Sequence, residues 1–259
     1  MELQNLLYDK ETEIRIVTLH RPQAMNAISH ELALELAAVM DDIEVDPEAR
    51  AVILTGGEKV FAAGGDIALM AQADPQGAEE YATRVGQAYD KIEKLSKPVI
   101  AAISGMALGG GCELALACDF RIAAEEAVFG LPEINLGIIP GAGGTQRLTR
   151  VVGPGWAKYL IMIGKNIDAA TALKIGLVTQ MVPQRELINA ARQLAALLAS
   201  KAPVALKTAK VCIDYGLNVD LPSGLNFERK NMAFLFSTED QKEGMRAFLE
   251  KRKAQFIGK

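Results

Sequence analysis

Histidine and cysteine are scarce in this chain, with two and three copies among 259 residues. His20 and His30 fall in no HExxH-type spacing, and Cys112, Cys118 and Cys212 form no CxxC pair. The usual ligand sets for zinc are therefore missing, and a histidine-based triad has little to draw on. A serine peptidase reading lacks a plausible Ser–His pair for the same reason. Three cysteines make no disulfide framework and read as reduced core thiols. The opening MELQNLLYDKETE is acidic and has no apolar h-region, so no secretory signal is expected and the expected location is cytoplasmic. No GxxxxGK[ST] occurs, and no GxGxxG opens a first βαβ unit, which speaks against an NTPase or a dinucleotide enzyme. The net charge is −4 with no compensating basic stripe, so nucleic acid is not the expected partner. The least charged window, Pro98 to Ala117, carries only Glu113. Gly105 and a glycine triplet interrupt it, so it reads as strand, turn and helix, with no membrane span. Internal repeats and low-complexity linkers are absent.

What the chain does have is apolar residues, half of the total, enough for a large core. EIRIVTLH (Glu13 to His20) predicts a strand, and Ser29 is a good N-cap for a helix from His30 to about Val45. Ala51 to Thr55 is a wholly apolar strand, as in a sheet buried on both faces. Gly77 to Leu95 predicts a long amphipathic helix, and Val99 to Ser104 a further strand. Thr145 leads into a helix, Asp168 caps another that Gly176 ends, and Val178 to Val182 reads as a strand. From Arg185 onward only helices are expected, broken near Pro203, Gly216 and Pro222, with Thr238 to Gln241 as a capping box for the last. Strands alternating with helices, followed by helices alone, predict an α/β core over residues 1–200 and a helical region over 201–259. The apolar faces of that region (Leu206, Val211, Phe227, Met232, Phe234, Phe248) exceed what a solvated tail needs, so it is expected to mediate assembly.

The stretch Ile103 to Glu133 organises the rest. Gly109, Gly110 and Gly111 precede residues suited to a helix, so the triplet lies at a helix N-terminus, where free N–H groups and the dipole favour an anion or oxyanion. Tight helix–strand packing explains the glycines equally well. Glu113 lies in an apolar helix with no cation at i±3 or i±4. A carboxylate in such a place protonates, finds distant partners or does chemistry. Glu133 follows Leu131-Pro132. Either acid could also be merely solvated. Two acids beside a backbone oxyanion site suit proton transfer next to a carbonyl.

Taken together, RPQAMNAI, FAAGGDI, KPVIAAISGMALGGGCELALACDFRIA, FGLPEINLGIIPGAGGTQRLTRVVG and STEDQKEGMRAFLEKRKAQF resemble, in order and spacing, the crotonase superfamily of enoyl-CoA hydratases and isomerases. The resemblance runs over nearly the whole chain. It implies a spiral of ββα turns, a fold related to that of some serine proteases, with a C-terminal helical trimerisation region and trimers often paired into hexamers. It implies an acyl-CoA thioester as ligand, coenzyme A being part of the substrate, with no separate cofactor and no metal. It places the oxyanion hole at the N–H groups of Gly65 and Gly110 and the catalytic pair at Glu113 and Glu133. Substrate or CoA contacts fall at Ala24, Met25, Ala63, Gly65, Asp66, Ile67 and Gly110. Having both glutamates favours a hydratase, a hydro-lyase of fatty acid metabolism. An isomerase, another acyl-CoA lyase of the superfamily or a non-catalytic acyl-CoA-binding protein are the alternatives. Gly65 stands where many relatives have Ala, a change expected to matter little because the donor is backbone. Ala68 stands where several have Lys, which removes a polar contact to CoA.

Overall fold

Four short apolar runs set the architecture. In the computed structural model, which describes residues 3–259, they become the middle of a six-stranded sheet. Met1 and Glu2, where the expected core begins, lie outside the described residues. The chain runs β1 (Leu6–Glu11), β2 (Ile14–Leu19), α1 (His30–Val45), β3 (Ala51–Thr55), the single turn α2 (Ile67–Met70) and α3 (Pro75–Lys94). It continues through β4 (Val99–Ile103), β5 (Met106–Leu108), α4 (Gly110–Ala117), β6 (Phe120–Ala124), β7 (Val128–Gly130) and α5 (Gly144–Ile163). Then come β8 (Ile167–Asp168), α6 (Ala169–Lys174), β9 (Gln180–Val182), α7 (Leu187–Ala199), α8 (Pro203–Gly216), α9 (Leu221–Leu235) and α10 (Glu239–Leu249).

The large sheet has the order β1-β2-β3-β4-β6-β9, parallel throughout except for the β1–β2 hairpin. A small sheet, β5-β7-β8, takes the strand that follows two of the large-sheet strands: β4 leads to β5 and β6 to β7. This is the winding of a ββα spiral. Alternation along the strands splits the core. Val52, Leu54 and Ala101 face the layer holding α1, α3 and α4, where Leu36, Val85 and Leu114 are buried. Ile53, Ile100 and Ile122 face the opposite side, under Leu187, Ala191 and Ala195 of α7. Strand β3 is buried throughout, as its unbroken apolar run requires.

Ser29, Asp168 and Thr238 each cap a helix, through the N–H groups of Leu32, Thr171 and Gln241 respectively. The capping box at Thr238 is half made, because the Thr238 N–H donates to Leu235 O at 3.1 Å and leaves Gln241 nothing to reach back for. Helix α3 starts before Gly77, at Pro75, because Asp74 accepts the Gly77 N–H. The strand expected from Val178 is confined to Gln180–Val182: the N–H groups of Leu177 and Val178 turn back to Ala172 O. Cys112 and Cys118 are buried, but Cys212, on α8, is only half-buried and is no core thiol. Helices α8 and α9 pack on each other and leave Ile213, Leu221, Met232 and Phe234 exposed. Among the described residues no helix is long and apolar enough to cross a membrane.

Candidate active site

Strand β5 ends in a turn that only glycine enters readily: Gly109 has φ 50° and Gly110 begins α4. The first N–H groups of a helix lack intrahelical acceptors. A second donor comes from the loop before α2. There the Ile28 N–H donates to Gly64 O at 2.8 Å, which orients the peptide unit carrying the Gly65 N–H. Neither the Gly65 nor the Gly110 N–H has an acceptor among the described residues. A Cβ placed on Gly110 would lie 3.4 Å from the Gly65 nitrogen, so the two donors converge from segments far apart in sequence. Tight packing is the role of the triplet's third member. A Cβ on Gly111 would come within 2.2 Å of Ala62 O, which lets α4 lie directly against the neighbouring backbone.

Glu113, in the first turn of α4, is buried, and its partners come from outside the helix. Its Oε1 accepts the N–H groups of Ala142 (2.8 Å), in the glycine-rich loop before α5, and Gly144 (2.7 Å), the first residue of α5. Burial pushes its pKa up; the two N–H bonds and the charge of Arg147 oppose that. Arg147 was not foreseen in the sequence. Its Nη1 donates to Ala142 O (2.8 Å), and its other nitrogens pair with Asp90 (2.8 Å) and Glu93 (2.7 Å) of α3. It thereby ties the loop that holds Glu113 to a neighbouring helix.

Glu133 sits in a 3₁₀ turn, Pro132–Leu136, against the triplet: a Cβ on Gly109 would lie 2.9 Å from its Oε1. Its Oε2 is buried with no hydrogen-bond partner among the described residues. Burial pushes its pKa up to about 7; its own backbone N–H opposes the shift and the charge of Glu113 adds to it. Neither acid is simply solvated: Glu113 is buried, and Glu133 lies against the glycine triplet that opens the helix carrying Glu113. One carboxylate has its backbone donors, and among the described residues one oxygen of the other has none.

The remaining expected site residues gather beside Gly65. Ala24 and Met25 form a turn in which Met25 is left-handed (φ 49°), and the Ala63 N–H donates to Met25 O at 3.1 Å. Asp66 caps α2 and pairs with Arg21 at 3.3 Å, while Met25 and Ile67 are exposed apolar side chains at the rim. Gly65 itself is less neutral than expected. A Cβ there would meet Tyr81 Oη at 2.8 Å and Met70 Sδ at 3.0 Å, so in this chain two side chains fill the space that an alanine would take.

The family profile described as "Enoyl-CoA hydratase/isomerase" matches residues 9–259. The chain is 48% identical to the short-chain-enoyl-CoA hydratase of Clostridium acetobutylicum, over 98% of each chain. It is 44% identical to the crotonyl-CoA hydratase of Syntrophomonas wolfei over the full length of both. The crystal structure of an enoyl-CoA hydratase from Bacillus anthracis superposes with a TM-score of 0.95 at 43% identity, covering 99% of this chain and 100% of that one.

Proposed function

The chain belongs to the enoyl-CoA hydratase/isomerase family and, as an enoyl-CoA hydratase, is a hydro-lyase; we propose that Glu113 and Glu133 add water across a short trans-2-enoyl-CoA held by the N–H groups of Gly65 and Gly110. The carrying observation is the meeting of two unpartnered backbone donors with a pair of unequal acids. The two N–H groups accept charge onto the thioester oxygen, and one such donor is typically worth about 100- to 1000-fold in rate. Electron density leaves the β-carbon, where water attacks. Glu113 takes the water proton as the new C–O bond forms, and Glu133 gives its proton to the α-carbon. The pair ends with its proton moved from one carboxyl to the other, and solvent resets it. The arrangement asks for no resident cofactor; coenzyme A arrives with the substrate. Ala24, Met25, Ala63, Asp66 and Ile67 form the rim along which the CoA portion lies.

The short-chain preference rests on the two hydratases above and on Tyr81 and Met70, which crowd the site beside Gly65. The exposed apolar side chains of α8–α10, residues 201–259, support their reading as the assembly region of a homo-oligomer. Reduced thiols fit a cytoplasmic enzyme. Hydration rates against trans-2-enoyl-CoAs of four to twelve carbons test the reading. The four-carbon substrate is expected to turn over fastest. Migration of the double bond without any 3-hydroxyacyl product would overturn the hydratase mechanism in favour of isomerisation.

A further inference from the structure

The two N–H donors belong to different segments that already pair near them: the Ala62 N–H donates to Met106 O and the Leu108 N–H to Ala62 O, both at 3.0 Å. Helix α3 braces both from a second side. Tyr81 Oη donates to Ile28 O at 2.8 Å, and Tyr89 Oη donates to Gly110 O at 2.7 Å. Ile28 is the residue whose backbone brackets Gly65: its N–H donates to Gly64 O and its carbonyl accepts the Asp66 N–H at 3.0 Å. Gly110 is the other donor residue. The two phenols stand at i and i+8 on one face of α3, with buried Val85 between them. Phenylalanine would supply the same apolar bulk without a hydroxyl that needs a partner when buried. Here one hydroxyl is spent on Gly110 itself and the other on Ile28, whose backbone pairs with the residues on either side of Gly65. The carbonyls they reach are not dependent on them for pairing, since Ile28 O keeps the Asp66 N–H and Gly110 O lies in the first turn of α4.

We propose that Tyr81 and Tyr89 are positioning residues for the oxyanion hole, holding α3 as a splint that, beyond the Ala62 pairing, steadies the distance between the Gly65 and Gly110 N–H groups. The inference rests on the hydratase reading above. A donor pair splayed by even a fraction of an ångström no longer grips one oxygen, and misplacement of about 1 Å can cost about 100-fold.

The test uses Tyr81→Phe and Tyr89→Phe, which remove one oxygen each, and Val85→Ala as a packing control on the same face. With 2-butenoyl-CoA, each Phe variant is expected to lose about tenfold in kcat with little change in KM. The carbonyl stretch of bound [1-13C]butanoyl-CoA, read by difference infrared spectroscopy, should move back toward its value in solution in both. Val85→Ala should lower Tm while leaving the stretch in place. A wild-type stretch that already matches solution would overturn the oxyanion reading, and this inference with it. A shifted wild-type stretch retained in both Phe variants would overturn the inference alone, whatever happens to Tm or kcat.

Discussion

Glu113 and Glu133 are the same residue type, proposed to serve one site, yet the chain treats them in opposite ways. Glu113 projects from a regular helix and is met by two N–H groups, from the glycine-rich loop before α5 and from the first residue of α5, with Arg147 behind them. Glu133 projects from a short 3₁₀ turn, and one of its oxygens is buried with no partner among the described residues. Donors aimed at a carboxylate favour its ionised form, and a bare apolar setting favours the neutral one. In the proposed mechanism the pair holds one negative charge and one proton, with the charge on Glu113, where the donors are, and the proton on Glu133. That is the starting state that adding hydroxide to one carbon and a proton to the next requires.

The strongest way to break this contrast is to make both acids amides. Glu113→Gln and Glu133→Gln should each lower hydration by about 100- to 10,000-fold, the range of general acid–base catalysis. The double variant should lose little more, since both groups act in one transition state. The two should part company in exchange of the α-proton of butanoyl-CoA with deuterated water, followed by NMR. That exchange needs the Glu133 carboxyl but no attack at the β-carbon, so Glu113→Gln should retain it and Glu133→Gln should lose it. Equal loss in both variants would reject the division of roles.

The contrast can be sharpened through Arg147, which touches the site only by way of Ala142 O and the loop that holds Glu113. Arg147→Gln removes a nearby positive charge, so the pKa of Glu113 should rise. Glu113 must be ionised to take a proton, so the acid limb of the kcat/KM–pH profile should move to higher pH. At neutral pH the loss should be about tenfold, since the loop also loses its anchor to α3. Arg147→Lys keeps the charge but not the fork that reaches Asp90, Glu93 and Ala142 O together, and should fall between. An acid limb that stays in place in Arg147→Gln would show that the arginine does not act on Glu113.

How far these parts were legible in the sequence follows from how local their causes are. The helix starting at Ser29, the buried strand Ala51–Thr55 and the helix after the triplet each carry their signal in adjacent residues. The sequence does not mark strands β1, β5, β6 and β7; β5 and β7 are only three residues each, and β6 follows directly on an apolar helix, where an apolar run looks the same in either state. The glutamates were visible as acids in apolar surroundings. Their unequal partners were not, because the donors to Glu113 come from a loop some thirty residues away in a chain whose spiral winding brings it back. Arg147, Tyr81 and Tyr89 escaped for a related reason. An arginine near glycines and two tyrosines on an amphipathic helix look like surface and core, and only the fold shows which carbonyls they reach.

The smallest expected effect concerns stability. Folding raises the pKa of Glu133 from its ordinary carboxylate value to about 7, mainly through burial. Between those two pH values the folded state holds a proton that the unfolded chain has released. Stability is therefore full below the unfolded pKa and is lost as pH rises through the folded one. Glutamine has the shape of the protonated acid and cannot ionise, so Glu133→Gln should be spared that loss. Above pH 7 it should exceed the wild type by on the order of 2 kcal/mol, or roughly 5 °C in Tm. At pH 4 the two proteins should melt nearly together. The expected gain in stability accompanies the greatest loss of activity, as it would if an unpaired acid is kept at this position for its chemistry. Calorimetric melts of both proteins from pH 4 to 8 decide the matter. A Tm difference that does not change over that range would mean that Glu133 does not titrate there, and that the proton assigned to it lies elsewhere.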